Sequence, residues 1–434
     1  MHKYLMQLTF GAVTFLLLQS CQFKNDAIVR AKDYELPLEQ QAQLTVNDKQ
    51  NMAFWDAKLT ENPNQFPYLA KLATAHDRVF AKTSNIEALF TAADFWKQAN
   101  EKTNYQTASY LRAAAKNAIT RHEFKTAYDL LKLAEQNGEK LQATQLMLFD
   151  ASLELGLYDQ AFSYLEKTKD FTDVDYLIRL AKWEDTQGNL NATIMHMKGI
   201  LKIAKANKNN ALRLWTVTNL GDYYGHAGDI KKSYDSFIDA LTIDPQNKYA
   251  KKGIAYIAYA NDKNASEALR IMKTITKNNM QPDDLLFMAE LAEYSGDSAQ
   301  KEVYLKDFSN LLTIKNYGAL YNIPQAVLWL EQGEFKKAIA LLQHEVSRRA
   351  TPETYGALAA GYLASGDIKQ AYSIIKEHVQ GKTFEPSLLL IEGQILNALQ
   401  TEEARVKEIK KELSSALYEL GPLAKIDIDA LHTQ

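Results

Sequence analysis

Few residues in this sequence have the type and spacing that covalent or acid–base chemistry demands. Cys21 is the only cysteine, so the chain can close no intramolecular disulfide, and its thiol is a candidate nucleophile or modification site. The eight histidines are His2, His76, His122, His196, His226, His344, His378 and His432. None stands in an HExxH pair or beside the cysteine, so zinc-ligand spacing is absent and no metal is expected. Gly381-Lys382-Thr383 imitates the end of a phosphate-binding loop, but residue 376, where the first glycine of such a loop belongs, is lysine. The tripeptide also follows a helical pattern where a strand is required, so it reads as the turn after a helix. No nucleophile elbow or dinucleotide-binding glycine pattern occurs. Asp283-Asp284 and Glu402-Glu403 are paired carboxylates of the kind that helix starts and surfaces carry. The expectation is therefore a binding protein, with neither catalysis nor a cofactor.

Cys21 has a context. Lys3 is followed by an apolar stretch from Leu5 to Leu18, diluted by Gln7, Thr9 and Thr14. A membrane-spanning helix needs about 20 apolar residues, so this stretch reads as the core of a signal peptide, residues 1–20. It ends in Leu18-Gln19-Ser20-Cys21, which resembles the bacterial lipobox; an ordinary cleaved signal peptide is the alternative. The resemblance implies a thiol carrying a diacylglyceryl group and a cleaved chain beginning at an acylated Cys21. Two or more acyl chains make a stable anchor where one does not. By resemblance to lipoprotein sorting in enteric bacteria, Gln22 in place of Asp favours the outer membrane, with the periplasmic or surface face open. Phe23-Lys24-Asn25-Asp26 loosely resembles the export signals of Bacteroidetes lipoproteins. The polar run 21–48 reads as a tether, with an ordered arm on the folded body as its alternative.

The elements behind these residues are helical. Only 18 glycines and 9 prolines interrupt the chain, and 46% of it is hydrophobic, which points to an all-α protein with a real core. The 50 basic and 53 acidic residues give a formal charge of −3, so there is no basic excess to favour nucleic acid. Within Leu214 to Asn247, Leu220, Tyr224, Phe237 and Leu241 recur at helical spacing. Gly221 and Ser233 let two helices approach closely. Gly228 suits a left-handed helix end, Asp229 can cap the next helix, and Pro245 follows Ala240-Leu241 and cannot continue the helix. This pattern closely resembles the tetratricopeptide repeat (TPR), with Ser233 where the family usually has Ala.

The position of Gly228 recurs forward at Asp262, Gly296, Gly333 and Gly366, and backward at Gly188, Gly156, His122 and about Thr83. The beat predicts about eight or nine repeats over 66–386, a half-repeat cap over 49–65 and capping helices over 387–434. The resemblance implies a right-handed α-solenoid of stacked antiparallel helix pairs. No linker interrupts it, and hairpins that touch mainly their neighbours would make it elongated and curved.

The resemblance also implies a concave groove lined by the first helix of each pair. Its positions here include Arg112, Lys116, Asp150, Asp175, Lys182, Trp215, Thr218, Asp222, Glu290 and Glu293. Arg112 and Lys116 could begin a carboxylate clamp of the kind some TPR proteins use, but Met147 stands where the matching Asn belongs. The later positions are acidic and favour a basic or polar partner. Trp215 is the best aromatic contact candidate; most other aromatics occupy packing positions. The expected function is a lipid-anchored scaffold of the bacterial envelope that binds other envelope proteins or peptides. The alternative is a glycan- or nutrient-binding lipoprotein resembling the SusD class, which carries large irregular insertions that this sequence lacks.

Overall fold

The computed structural model describes residues 27–431. Cys21, the signal peptide 1–20, His2 and His432 lie outside the described residues. Two helices precede the array, α1 (Ala31–Leu38) and α2 (Val46–Glu61). Ten antiparallel hairpins follow. They are α3 (Phe66–Thr83) with α4 (Ile86–Lys102), α5 (Ala108–Thr120) with α6 (Phe124–Asn137), and α7 (Leu141–Glu154) with α8 (Tyr158–Lys167). Next come α9 (Val174–Thr186) with α10 (Leu190–Ala206), α11 (Asn210–His226) with α12 (Ile230–Ile243), and α13 (Lys248–Ala260) with α14 (Ala265–Thr276). The last four are α15 (Pro282–Tyr294) with α16 (Ser298–Ile314), α17 (Asn322–Glu331) with α18 (Phe335–Arg348), α19 (Pro352–Ala364) with α20 (Ile368–His378), and α21 (Pro386–Ala398) with α22 (Glu403–Ser415). A single turn, α23 (Leu417–Leu420), and α24 (Ala424–Ala430) complete the described chain. Among the described residues there is no strand, and no helix is long and apolar enough to cross a membrane.

The hairpins close for the reasons the sequence carries. Gly228 has φ +73°, and the Asp229 side chain accepts from the Lys232 amide to cap α12. Five residues after most of these turns a small side chain meets the partner helix, Lys301 after Gly296 and Leu89 after Ser84 being the exceptions. Ala127, Ala161, Thr193, Ala338 and Ala371 are fully buried, and Ser233 nearly so. Gly156, Gly188, Gly296, Gly333, Gly366 and His122 are all left-handed, as the beat requires. At two turns the left-handed residue is one place later than expected, at Lys263 instead of Asp262 and at Ser84 instead of Thr83. Lys263 restores the frame, because the buried Ala268 follows it by the same interval. No connection between α3 and α22 exceeds seven residues, so the array has no room for the insertions that the glycan-binding alternative asks for.

Two expectations need correction. First, the run from Ile28 to Gln41 is docked on the outer face of α12 and α14. Asp262, released from the turn role, accepts from the Ile28 and Val29 amides at 3.1 and 2.9 Å. Tyr34 and Leu38, four residues apart on α1, are fully buried in the largest core cluster. Tyr34 donates to Glu267, Arg270 pairs with Glu35 at 2.9 Å, and the buried Lys251 ammonium donates to the Gln40 and Leu38 carbonyls. The ordered-arm alternative describes this segment.

Second, the hairpins touch mainly their neighbours, as expected, but the coil they build is not open along its length. The superhelix closes on itself along a seam. The turn of the second hairpin meets the loop after the eighth, where Arg348 donates to the His122 carbonyl at 2.9 Å and faces Glu123. At the third turn, a Cβ on Gly156 would stand 2.5 Å from the Ala350 oxygen. At the fourth, Phe384 lies flat against Gly188, 2.7 Å from where a Cβ would be. The first hairpin is held by Lys315–Glu87 at 3.3 Å, by Asn279 on the Thr83 carbonyl, and by Tyr317 buried against Ile86 and Leu89.

Candidate partner-binding groove

The first helices of consecutive hairpins line the concave side, and at α11, α13 and α15 they converge on a cavity of about 470 Å³. Its floor is made by an aromatic ring and two glycines. Phe237 on α12 reaches between the helices, and a Cβ on Gly221 or Gly253 would stand 2.6 or 2.5 Å from its ring. Its walls carry Tyr249 and Tyr256, two turns apart on α13, with Tyr259 fully buried behind them. Tyr249 donates to Asp222 at 2.6 Å, and Tyr259 donates to Glu290 at 2.9 Å. Burial pushes the Asp222 and Glu290 carboxyls above the ordinary range against these hydroxyls. Burial first, and the Glu290 carboxylate second, push the Tyr256 and Tyr259 hydroxyls far above an ordinary phenol. Both remain donors at any physiological pH.

The groove positions named from sequence separate into four groups. Asp222 and Glu290 stand at this cavity or beside it. Arg112, Asp150, Asp175, Lys182 and Glu293 are engaged within the array. The Arg112 guanidinium donates to the Glu139 carbonyl at 2.7 Å and to Thr144 at 3.1 Å, tying α5 to the start of α7. Asp150 accepts from Arg179 at 2.7 Å, and Arg179 also faces Asp175 at 3.6 Å. Lys182 pairs with Glu154 at 3.1 Å, and Lys301 with Glu293 at 2.9 Å. Lys116 and Trp215 are exposed, and Trp215 has no ring or cation partner among the described residues. Thr218 is buried and bonds back to the Trp215 carbonyl at 2.8 Å, so it is a packing residue and not a contact.

Sequence reasoning missed Gly225, His226, Gly253, Tyr256, Phe287 and the C-terminal residues Tyr418 and Glu419, all of which shape the site. One signal was present. Glycine inside a helix costs about 1 kcal/mol relative to alanine, so Gly225 and Gly253, beyond the repeat's own glycine, ask for a reason. The reason is close approach of rings on the concave side.

Toward the fourth hairpin and the start of α21, the interior becomes acidic. Burial raises Asp185 and Glu385, and the Glu419 carboxylate adds to both shifts, while His226 lies 3.8 Å from Glu419. Among the described residues no group of three or more His, Cys, Asp or Glu is placed to hold a metal ion.

No family model and no curated protein matches the chain. Among solved structures it is similar to a tetratricopeptide repeat protein from Parabacteroides merdae, at 19% identity over 59% of this chain and 96% of that one, with a TM-score of 0.35. It is also similar to human IFIT1 bound to m7Gppp-AAAA, at 11% identity over 75% of this chain and 72% of that one, with a TM-score of 0.47. A third likeness is to YrrB, a TPR protein with an unusual peptide-binding site, at 17% identity over 45% of this chain and 95% of that one, with a TM-score of 0.27.

Proposed function

We propose that this protein is an interaction scaffold that binds a segment of another protein in the concave groove formed by α11, α13 and α15, and that acylation of Cys21 holds it on the bacterial envelope. The observation that carries the first half is the slot itself. It combines aromatic walls, a floor made by the Phe237 ring seated on two glycines, and the Tyr256 hydroxyl, which donates to main-chain carbonyls, and this suits a peptide main chain with one large side chain. The desolvated carboxylates Asp185, Asp222, Glu290 and Glu385 oppose a phosphate-bearing ligand. The second half rests on the Leu18-Gln19-Ser20-Cys21 motif. Six peptide steps from Cys21 to Ala27 span at most about 21 Å, so an anchored body would stay close to the bilayer.

A photo-crosslinking residue at position 249 is expected to capture a partner in the envelope that the same probe at the exposed outer position 273 does not. Capture from both positions alike, or from neither, removes the groove reading. Replacing Cys21→Ala is expected to move the protein from the membrane fraction to the soluble one, and persistence on the membrane rejects the anchor.

A further inference from the structure

The groove is not empty. After α22 the chain turns back into the superhelix, and α23 lies against α11. The Tyr256 hydroxyl donates to the carbonyls of Tyr418 and Glu419 at 2.9 and 2.7 Å. The Tyr418 ring stands edge-on to Tyr256, with centroids 5.6 Å apart. It fits over α11 because residue 225 is glycine, where a Cβ would come within 2.8 Å of the ring. Gly421 passes so close to α15 that a Cβ there would be 2.8 Å from Glu290 Oε1. The contacts are those of a bound peptide: main-chain carbonyls satisfied by a fixed donor and one aromatic side chain in a slot.

Three features mark this occupant as displaceable. α23 is a four-residue turn with no buried residue, too short to hold itself helical. A cavity of about 470 Å³ remains beside Tyr418, so the segment fills only part of the groove. Glu419 also lines the cavity with Asp222 and Asp283, where the one lysine, Lys252, is already paired with Asp283 and Asp284 and His226 is the facing imidazole, and it adds to the burial that raises Asp185 and Glu385, so carboxylates outnumber free cations around it. A basic side chain at that place would reverse the repulsion.

Resting on the reading of this groove as a protein-binding site, we infer that the segment Leu417–Gly421 closes the groove in the free protein, and that the partner is a protein segment presenting an aromatic residue followed directly by a basic one. The aromatic takes the slot over Gly225, its carbonyls accept from Tyr256, and the basic residue meets Asp185 and Glu385.

The test uses the full chain, its Tyr418→Ala variant and a fluorescent peptide copying residues 414–424, with or without Glu419→Lys. The variant keeps α22 and α24, and circular dichroism checks that its helicity matches the parent. The variant is expected to bind the unsubstituted peptide at least about tenfold more tightly than the parent does, because the tethered segment competes at high effective concentration. The Glu419→Lys peptide is expected to bind the variant about tenfold more tightly still, an advantage that rising salt reduces. Tyr256→Phe added to the variant weakens both peptides. Equal binding by parent and variant, no binding by a folded variant, or equal binding of the two peptides overturns the inference. A parent that sediments as a dimer and becomes monomeric with Tyr418→Ala overturns it too, since the segment would then bridge two copies. These peptides do not depend on the natural partner, so crosslinking from position 249 with failed peptide binding defeats this inference and leaves the scaffold reading standing.

Discussion

Gly221 and Gly253 stand on opposite helices against one ring, that of Phe237. Each lacks a Cβ because the ring occupies its place, so the fifth and sixth hairpins are clamped by a single side chain. Gly221→Ala and Gly253→Ala are each expected to destabilise the protein by about 1–3 kcal/mol through overpacking, and Phe237→Ala by about 3–5 kcal/mol through the cavity it leaves, read by urea unfolding. Ser152 presents the opposite case. Its hydroxyl is fully buried on α7 with no hydrogen-bond partner among the described residues. Removing an unsatisfied buried hydroxyl is favourable, so Ser152→Ala is expected to raise stability by about 1 kcal/mol, and a loss of stability would show that the oxygen is satisfied. Gly221 was legible from the repeat pattern, since small residues at helix crossings recur in most units, Phe149 being an exception. Tyr256 was not, because a tyrosine in an alanine-rich helix looks the same whether it packs inward or faces a groove.

Helices and turns were the most legible scale. A left-handed turn residue and a small residue five places on are local requirements, and local requirements leave a period in the sequence. The two one-residue shifts, at Lys263 and Ser84, occur where no glycine marks the turn. What connects distant segments leaves no period. The arm reads as polar because only Tyr34 and Leu38 are fully buried, with Ile28 and Val29 partly buried against the same core, and so few apolar residues are a faint signal. Leu38→Ala is expected to cost about 2–5 kcal/mol where the site cannot collapse and to expose residues 28–41 to limited proteolysis while α11–α14 stay protected. The docking of α23 carries a pH dependence. Burial, and the Glu419 carboxylate after it, raise Asp185 and Glu385, so these groups bind more protons with the segment docked than with it released, between the ordinary carboxylate range and the raised values. Stability of this region therefore falls as pH rises through that window. Asp283, held low beside Lys252 on the groove wall, acts the other way only at more acidic pH. Hydrogen exchange at residues 416–423, corrected for intrinsic rate, is expected to show less protection at pH 7.5 than at pH 5.5; the reverse order would mean that the carboxylates are matched by cations.

Across the whole molecule, closure of the superhelix changes how its stability is composed. An open solenoid sums nearest-neighbour terms, whereas the seam joins hairpins two to four to the loops after the eighth and ninth. Gly156 and Gly228 separate the two contributions. Both have φ near +74°, so an alanine at either carries similar backbone strain, of about 1–2 kcal/mol. A Cβ on Gly156 meets the Ala350 oxygen, while a Cβ on Gly228 meets nothing within 4 Å. Gly156→Ala is therefore expected to lose about 1–3 kcal/mol more than Gly228→Ala, and to loosen hydrogen exchange at both α7–α8 and α18–α19. Equal losses would mean that the seam contributes nothing. The arm adds a mechanical consequence. A pull on residue 27 is borne in shear by the bonds to Asp262, Tyr234 and Lys251, on the outer wall of the same hairpins whose inner wall holds Tyr418. Load applied there would enter the coil at its fifth and sixth hairpins, midway along the array.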